Sequence, residues 1–350
     1  MPTPKGCTLT IIFEAQSLNY DEGYGGNLSV LKKLHRGNGE VYSYSSRQSI
    51  RYSIFNQGIR EFNWKPSEVK EAGSGDKKVT QLISSIQESE ESDLFGYMQT
   101  NKKINDTDKE VTVSRTSPVR ILPAISLEPY NSDMEMLTNK YQSDKKNLQP
   151  NIAVIENQRS FYRYTLCIDL HRIGTENDQL GSRVSPNGRL KAVDEEFRDF
   201  IDNFRKVDLN NERKIQRVSN LLDIIVRLYR DIRGRREDLK PLFVIGGIYS
   251  TFNPFFENIV NITWDITSKK YQIDMSPLNQ ILDEKYNTTN SSDDEKSIKQ
   301  DTFIGIREGI FSTSAKDFEQ IYDKNVSNQH IGSPEFVVSQ LKNQIKEYYK

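Results

Sequence analysis

The sequence predicts an α+β protein built on one antiparallel, ferredoxin-like sheet, enlarged by polar insertions. Runs at 8–13, 160–170 and 242–250 are rich in β-branched and aromatic residues and have strand length. Apolar residues recurring at three and four mark helices, one beginning near Arg47 and a longer one over 211–233. With a strand-prone stretch near 111–133, the order along the sequence is strand, helix, strand, strand, helix, strand, with no internal repeat.

Residues 8–13 form the first strand. A polar loop follows in which Gly23, Gly25 and Gly26 permit turns. Ser45 or Ser46 is placed to cap the helix that starts at Arg47, where Ile50 and Ile54 make an apolar stripe with Phe55 beside it. Residues 61–92 contain a polar insertion with one amphipathic turn expected near 79–86. The island DLFGYM (93–98) follows, with Phe95 and Met98 expected in the core.

Residues 99–150 read as a further insertion. Pro118, Pro123 and Pro129 interrupt its strand-like part and confine it to sheet edges. Residues 194–207 are expected to form a short helix with Phe197, Phe200, Ile201 and Phe204 inward, and Gly234 to stop the 211–233 helix. The Gly pair in LFVIGGIYS marks a strand that another backbone approaches closely. A hairpin is expected over 263–275, a mobile acidic loop over 280–302, and a terminal helix over 333–350, capped by Ser333 with Pro334 at its first position. The 350 residues are read as one elaborated domain.

Hydrophobic residues make up 35% of the sequence, and no apolar run approaches the roughly 18–20 residues needed to span a bilayer. No membrane partner is expected. The N-terminal residues lack a secretory pattern and two cysteines make no disulfide framework, so a cytoplasmic protein is expected. A formal net charge of −1 argues against coating nucleic acid on every face, yet the charge is segregated. Residues 67–93 hold seven acids against three lysines, whereas 213–240 hold nine basic residues against four acids. One basic groove on an otherwise neutral or acidic body fits this pattern.

The basic signal is strongest between Asn27 and Arg60, with six Lys or Arg and a single acid, Glu40. Arg47 and Arg51 lie four apart, and like charges at that spacing cost an isolated helix roughly 0.2–0.5 kcal/mol. No acid within a helical turn relieves them. Two explanations stand: an external anion such as a phosphate backbone, or arginines on the core rim with their heads in water. Catalytic patterns are sparse. Three scattered histidines suit few hydrolytic sites, and neither zinc spacing nor a phosphate-binding glycine motif occurs. Asp169 and His171 share a strand face without a nucleophile motif, and His171 reads as a hydrogen-bonded structural histidine. His35 beside Arg36 touches phosphate or solvent. No cofactor and no enzymatic activity are expected.

The stretches LTIIFEAQSLN, NLSVLKKL and SYSSRQSIRYSIF, then DLFGYM, the 211–233 helix, the Gly-bearing strand and Asn253-Pro-Phe-Phe, carry a resemblance. They resemble the Cascade backbone subunit (Cas-seven) in its DevR-like, subtype I-B branch, a member of the RAMP superfamily. The resemblance runs from Leu9 to about Phe256 and weakens in the acidic insertions and the C-terminal third. It implies an RRM-like ferredoxin core with a thumb and helical or web insertions, and a non-cutting protein that polymerises along a CRISPR guide RNA. Implied partners are the guide (crRNA), target DNA through guide pairing, further copies of the same protein and other Cascade subunits. Candidate RNA-binding residues are Asn27, Lys32, Lys33, His35, Arg36, Ser46, Arg47, Gln48, Arg51, Arg115 and Arg120. The last two flank Pro118 in the segment expected to be the thumb, 101–123; a proline-stiffened surface hairpin is the plainer reading there. Related type III backbones cut RNA with a thumb aspartate and a metal, which draws attention to Asp106 and Asp108. A free-standing RNA-binding autoregulator is the other alternative. No RNP-one sequence supports ordinary RRM readout by aromatics on the sheet.

Overall fold

The computed structural model describes residues 5–21, 27–72, 78–104, 109–177, 179, 181–188, 190–287, 295–322 and 327–350. Six elements carry the architecture: β1 (Gly6–Gln16), α1 (Arg47–Phe62), β2 in two halves (Val119–Ile121 and Ala124–Ser126), β3 (Arg159–Asp169), α2 (Asn211–Ile225) and β4 (Phe243–Tyr249). The strands lie in the order β4-β1-β3-β2 with every pairing antiparallel, the ferredoxin-like arrangement expected from the sequence. Val41–Ser45 and Lys33–His35 extend the sheet beyond the second half of β2. Thr302–Ile306 and Ile331–Gly332 extend it beyond β4.

Strand alternation divides the sheet into two faces. Leu9, Ile11 and Phe13 with Tyr162, Tyr164 and Leu166 pack in a core that also holds Ile50 and Ile54 of α1, Leu221 and Leu222 of α2 and Leu341 of the terminal helix Pro334–Tyr348. Ile12, Phe243 and Ile245 belong to a second core with Phe255, Phe256, Phe311 and Phe318. Phe161 of β3 meets Tyr271 at 5.5 Å and Phe311 at 5.4 Å between ring centroids. The segments that follow β4 therefore pack on this part of the face, where an RRM would present its aromatics to bases.

Glycine is required where β4 crosses. A Cβ on Gly246 would lie 1.9 Å from the Thr8 carbonyl oxygen, and one on Gly247 1.9 Å from that of Asp301. The terminal helix is capped as expected, with the Phe336 amide donating to the Ser333 hydroxyl and Pro334 opening the first turn. Helix Glu195–Arg205 places Phe197, Phe200, Ile201 and Phe204 on one apolar cluster, and Ile262–Asp265 pairs with Lys270–Ile273.

Three expectations are corrected. The helix expected over 211–233 ends at Ile225, and Tyr229–Ile232 is a strand paired with Arg235–Asp238. Arg233 and Gly234 both have positive φ, 48° and 79°, as a tight two-residue hairpin requires, so the glycine turns a hairpin and does not end a helix. The amphipathic turn expected near 79–86 contains the strand Val79–Leu82, paired with Val69–Ala72. In DLFGYM, Phe95 is buried as expected, but Gly96 breaks the short helix Glu90–Phe95 and Met98 emerges on the exposed side of the next strand, 58% accessible.

The described parts of 101–123, the segment expected to be the thumb, begin in a small sheet. Tyr97–Lys103, Glu110–Arg115 and Ser182–Asn187 form a three-stranded sheet on the Phe197/Phe204 cluster, with Val111 and Val113 fully buried. Residues 22–26, with the three glycines of the polar loop, and 105–108, with Asp106 and Asp108, lie outside the described residues, as does 288–294 of the acidic loop.

Candidate functional site

The first turn of α1 is capped by a serine and carries no acidic side chain. Ser46 is its N-cap: its hydroxyl accepts the Ser49 amide at 3.3 Å, while its own amide donates to Asn19 Oδ1 at 3.0 Å. No acidic side chain occupies the first turn, so the positive end of the helix dipole meets no internal counter-charge there. Arg47 and Gln48 are exposed at this end, and Arg51 follows one turn on.

The first half of β2 lies opposite. Arg47, Gln48 and Arg51 from the helix, with Ser117, Val119, Arg120, Ile121 and Leu122 from β2 and its approach, line a cleft of about 460 Å³ floored in part by Phe95. Arg51 lies over the Phe95 ring, 4.8 Å from its centroid, and touches Glu91 only at 3.5 Å. Burial pushes the Arg51 guanidinium below its ordinary pKa, and Glu91 opposes that shift. The acid that relieves Arg51 thus comes from another helix, invisible to a search within one turn. Arg120 bonds the Asp169 carboxylate at 3.0 Å with half its side chain exposed. Nothing in the residue pattern singles out Ser117 or the apolar floor; Phe95 alone was marked, by its motif.

Other candidates fall elsewhere. Lys33 is spent on Glu156, 2.7 Å away, and lies over the Tyr130 ring, while the same carboxylate holds the Leu31 amide. It anchors a strand. His35 and Arg36 are exposed at the turn of the Lys33–His35/Val41–Ser45 hairpin, with Arg36 over Tyr42. Lys32 joins this hairpin to the helix start: its amide donates to the Asn19 carbonyl and its carbonyl accepts Tyr44. Asn27 lines a separate depression with Leu137, Asn139 and Ile152.

Arg115 is corrected outright as a surface contact. Its side chain is 1% exposed and donates to Asp93 at 2.7 Å, to the carbonyls of Arg172 and Thr175 at 2.6 Å, and to Glu176 at 3.4 Å. Asp93 also receives Arg217 at 2.6 Å and the Gly174 amide at 2.9 Å. The motif aspartate is therefore the hub of a buried ionic network that ties Glu90–Phe95 to α2. His171 bonds the Lys5 backbone and packs its ring edge-on against Phe252 at 5.2 Å, as a structural histidine does, while its Nδ1 is buried without a partner. Among the described residues no group of three or more His, Cys, Asp or Glu could hold a metal, and no helix is long and apolar enough to cross a membrane.

A ferredoxin-like α+β protein with a cationic cleft at the start of its first helix is the class these features define. The chain belongs to the CRISPR-associated DevR/Csa2 family, whose model, described as "CRISPR-associated negative auto-regulator DevR/Csa2", matches residues 7–271. No curated protein matches it significantly. Among solved structures, one titled "CRISPR RNA-guided surveillance complex" is similar at 12% identity and a TM-score of 0.49, over 97% of this chain and 99% of that one. Another, titled "CRISPR RNA-guided surveillance complex, pre-nicking", is similar at 10% identity and 0.40, over 69% and 78%. At these values neither likeness fixes a function.

Proposed function

We propose that the protein is the guide-RNA-binding backbone subunit of a subtype I-B Cascade complex, with several copies polymerised along one guide. One observation carries the reading: Arg47, Gln48, Arg51 and Arg120 converge with an acid-free helix N-terminus on one cleft. Guanidiniums and helix amides suit phosphate, and phosphate contacts position a strand without reading it. Bases left outward pair with target DNA, so recognition of sequence belongs to the guide. The subunit holds and does not cut; complementary RNA with Mg²⁺ or Mn²⁺ stays intact in the assembled complex.

The test is Arg47→Gln combined with Arg51→Gln, titrated with single-stranded RNA at several salt concentrations. Loss of two phosphate contacts lowers the slope of log affinity against log salt by roughly 1.4, at about 0.7 per contact. An unchanged slope in a folded double variant removes the cleft from the site.

The family's description as a negative auto-regulator favours a second reading, a free-standing autoregulator. Native mass spectrometry on guides of increasing length separates the two. A backbone subunit adds copies in step with the guide; a regulator does not.

A further inference from the structure

The Arg-rich hairpin Tyr229–Ile232/Arg235–Asp238 flanks α1, and its arginines fall into two kinds. Arg235 and Arg236 are neutralised within the hairpin by Glu237 and Asp231, and Asp231 also holds Arg60 of α1 at 2.9 Å. Arg230 and Arg233 have no carboxylate partner among the described residues. Arg230 is half-buried against α1: its Nη1 donates to the Ser49 carbonyl at 3.1 Å, to the Ser49 hydroxyl, and to Ser53 Oγ at 3.4 Å. Its Nε is buried without a partner, and Nη2 makes no bond to the described residues. Arg233 donates to Ser29 Oγ at 3.1 Å and lies over the Tyr20 ring at 5.2 Å.

Tyr52 of α1, three residues after the Ser49 that holds Arg230 and within electrostatic reach of that guanidinium, is 67% exposed. It stands four residues after Gln48, so it continues the rim of the cleft by one helical turn. This half-buried guanidinium has hydroxyl and carbonyl partners but no counter-ion among the described residues, and the exposed Tyr52 ring shares the helix face of Ser49 that holds it.

We propose that Tyr52 and Arg230 form a second contact for single-stranded RNA on the flank of α1, Arg230 taking a phosphate and Tyr52 stacking on a neighbouring base. The inference rests on the reading of the cleft as an RNA site and extends it around the helix. Base stacking on an aromatic is tolerant of sequence, so this contact adds affinity without selecting a guide. Arg233, with Ser29, continues the same positive edge.

The experiment titrates a labelled single-stranded RNA into the full-length protein and into Tyr52→Ala, Tyr52→Phe, Arg230→Gln and Arg47→Gln, each at several salt concentrations. Tyr52→Ala binds roughly tenfold more weakly with an unchanged salt slope, within the range of one stacked base. Tyr52→Phe restores binding. Arg230→Gln weakens binding and lowers the slope by about 0.7. Tyr52→Ala lies at an exposed helical position and keeps the test independent of any effect of Arg230→Gln on folding. If only Arg47→Gln weakens binding, the inference falls and the cleft stands. If Arg47→Gln also binds like the parent, both fall. Weakened self-association of Tyr52→Ala with intact RNA affinity assigns the surface to a protein partner and overturns the proposal.

Discussion

Arg115→Met separates a structural arginine from an RNA-binding one. The substitution keeps much of the side-chain volume but removes every bond the guanidinium makes. Asp93 retains Arg217 and the Gly174 amide, and Glu176 retains the hydroxyls of Tyr97 and Ser182, both at 2.7 Å. Three backbone carbonyls lose a donor, those of Arg172 and Thr175 at 2.6 Å and that of Asp93 at 3.2 Å. Removing one member of a buried ion pair costs about 3–5 kcal/mol, because the remaining charges and acceptors stay out of water. Partial compensation at Asp93 places Arg115→Met near the lower end, about 3 kcal/mol. At about 2.1 cal/mol/K of unfolding entropy per residue, 350 residues carry about 0.7 kcal/mol/K, so this lowers the melting temperature by about 4 °C. Urea unfolding followed by far-UV circular dichroism measures the loss, and RNA titration below the transition measures binding. The variant binds RNA like the parent while folded. Parental stability with weakened RNA binding would refute the assignment of Arg115 to the core.

Two further outcomes test the packing. Gly246→Ala places a methyl 1.9 Å from the Thr8 carbonyl oxygen, between strands that cannot separate without losing their ladder. It destabilises by at least about 3 kcal/mol, the upper end for overpacking, and a urea midpoint within error of the parent would contradict the geometry. Glu257 is buried with Oε2 unpartnered, and desolvation raises its pKa against the pull of the Thr165 hydroxyl and Arg163. The folded state therefore holds this proton more tightly than the unfolded state, and stability falls as pH rises from 4.5 through the raised value. Glu257→Gln gains stability over the parent at neutral pH and none below about pH 4, which parallel melting curves across pH would check.

Much of the core was legible because its signals are local. Residues 8–13 and 160–170 read as strands from β-branched and alternating residues, and Ser46 with the Ile50/Ile54 pair located α1. The hairpin at 229–238 was not, because Ile225, Tyr229 and Ile232 keep helical spacing by coincidence. Only the positive φ of Arg233 and Gly234 reveals the turn. The candidate cleft was half legible. Charge and spacing drew attention to Arg47 and Arg51, but their approach to Arg120 depends on β2 lying beside α1, a contact between distant parts of the sequence. Arg115 looked like Arg120 in sequence, flanking the same proline. Asp93, more than twenty residues upstream, accounts for its burial.

The covered sheet has its own consequence. With Tyr271 and Phe311 packed on it, the Phe161 ring is closed as a flat floor on which one nucleobase could be compared with another. What the proposed RNA surface offers instead is a helix end, guanidiniums and one lateral ring, groups that respond to charge and to planarity but hardly to identity. Such a protein is indifferent to the text it carries. On the proposed reading, such a surface holds an RNA of any sequence without a single substitution of its own.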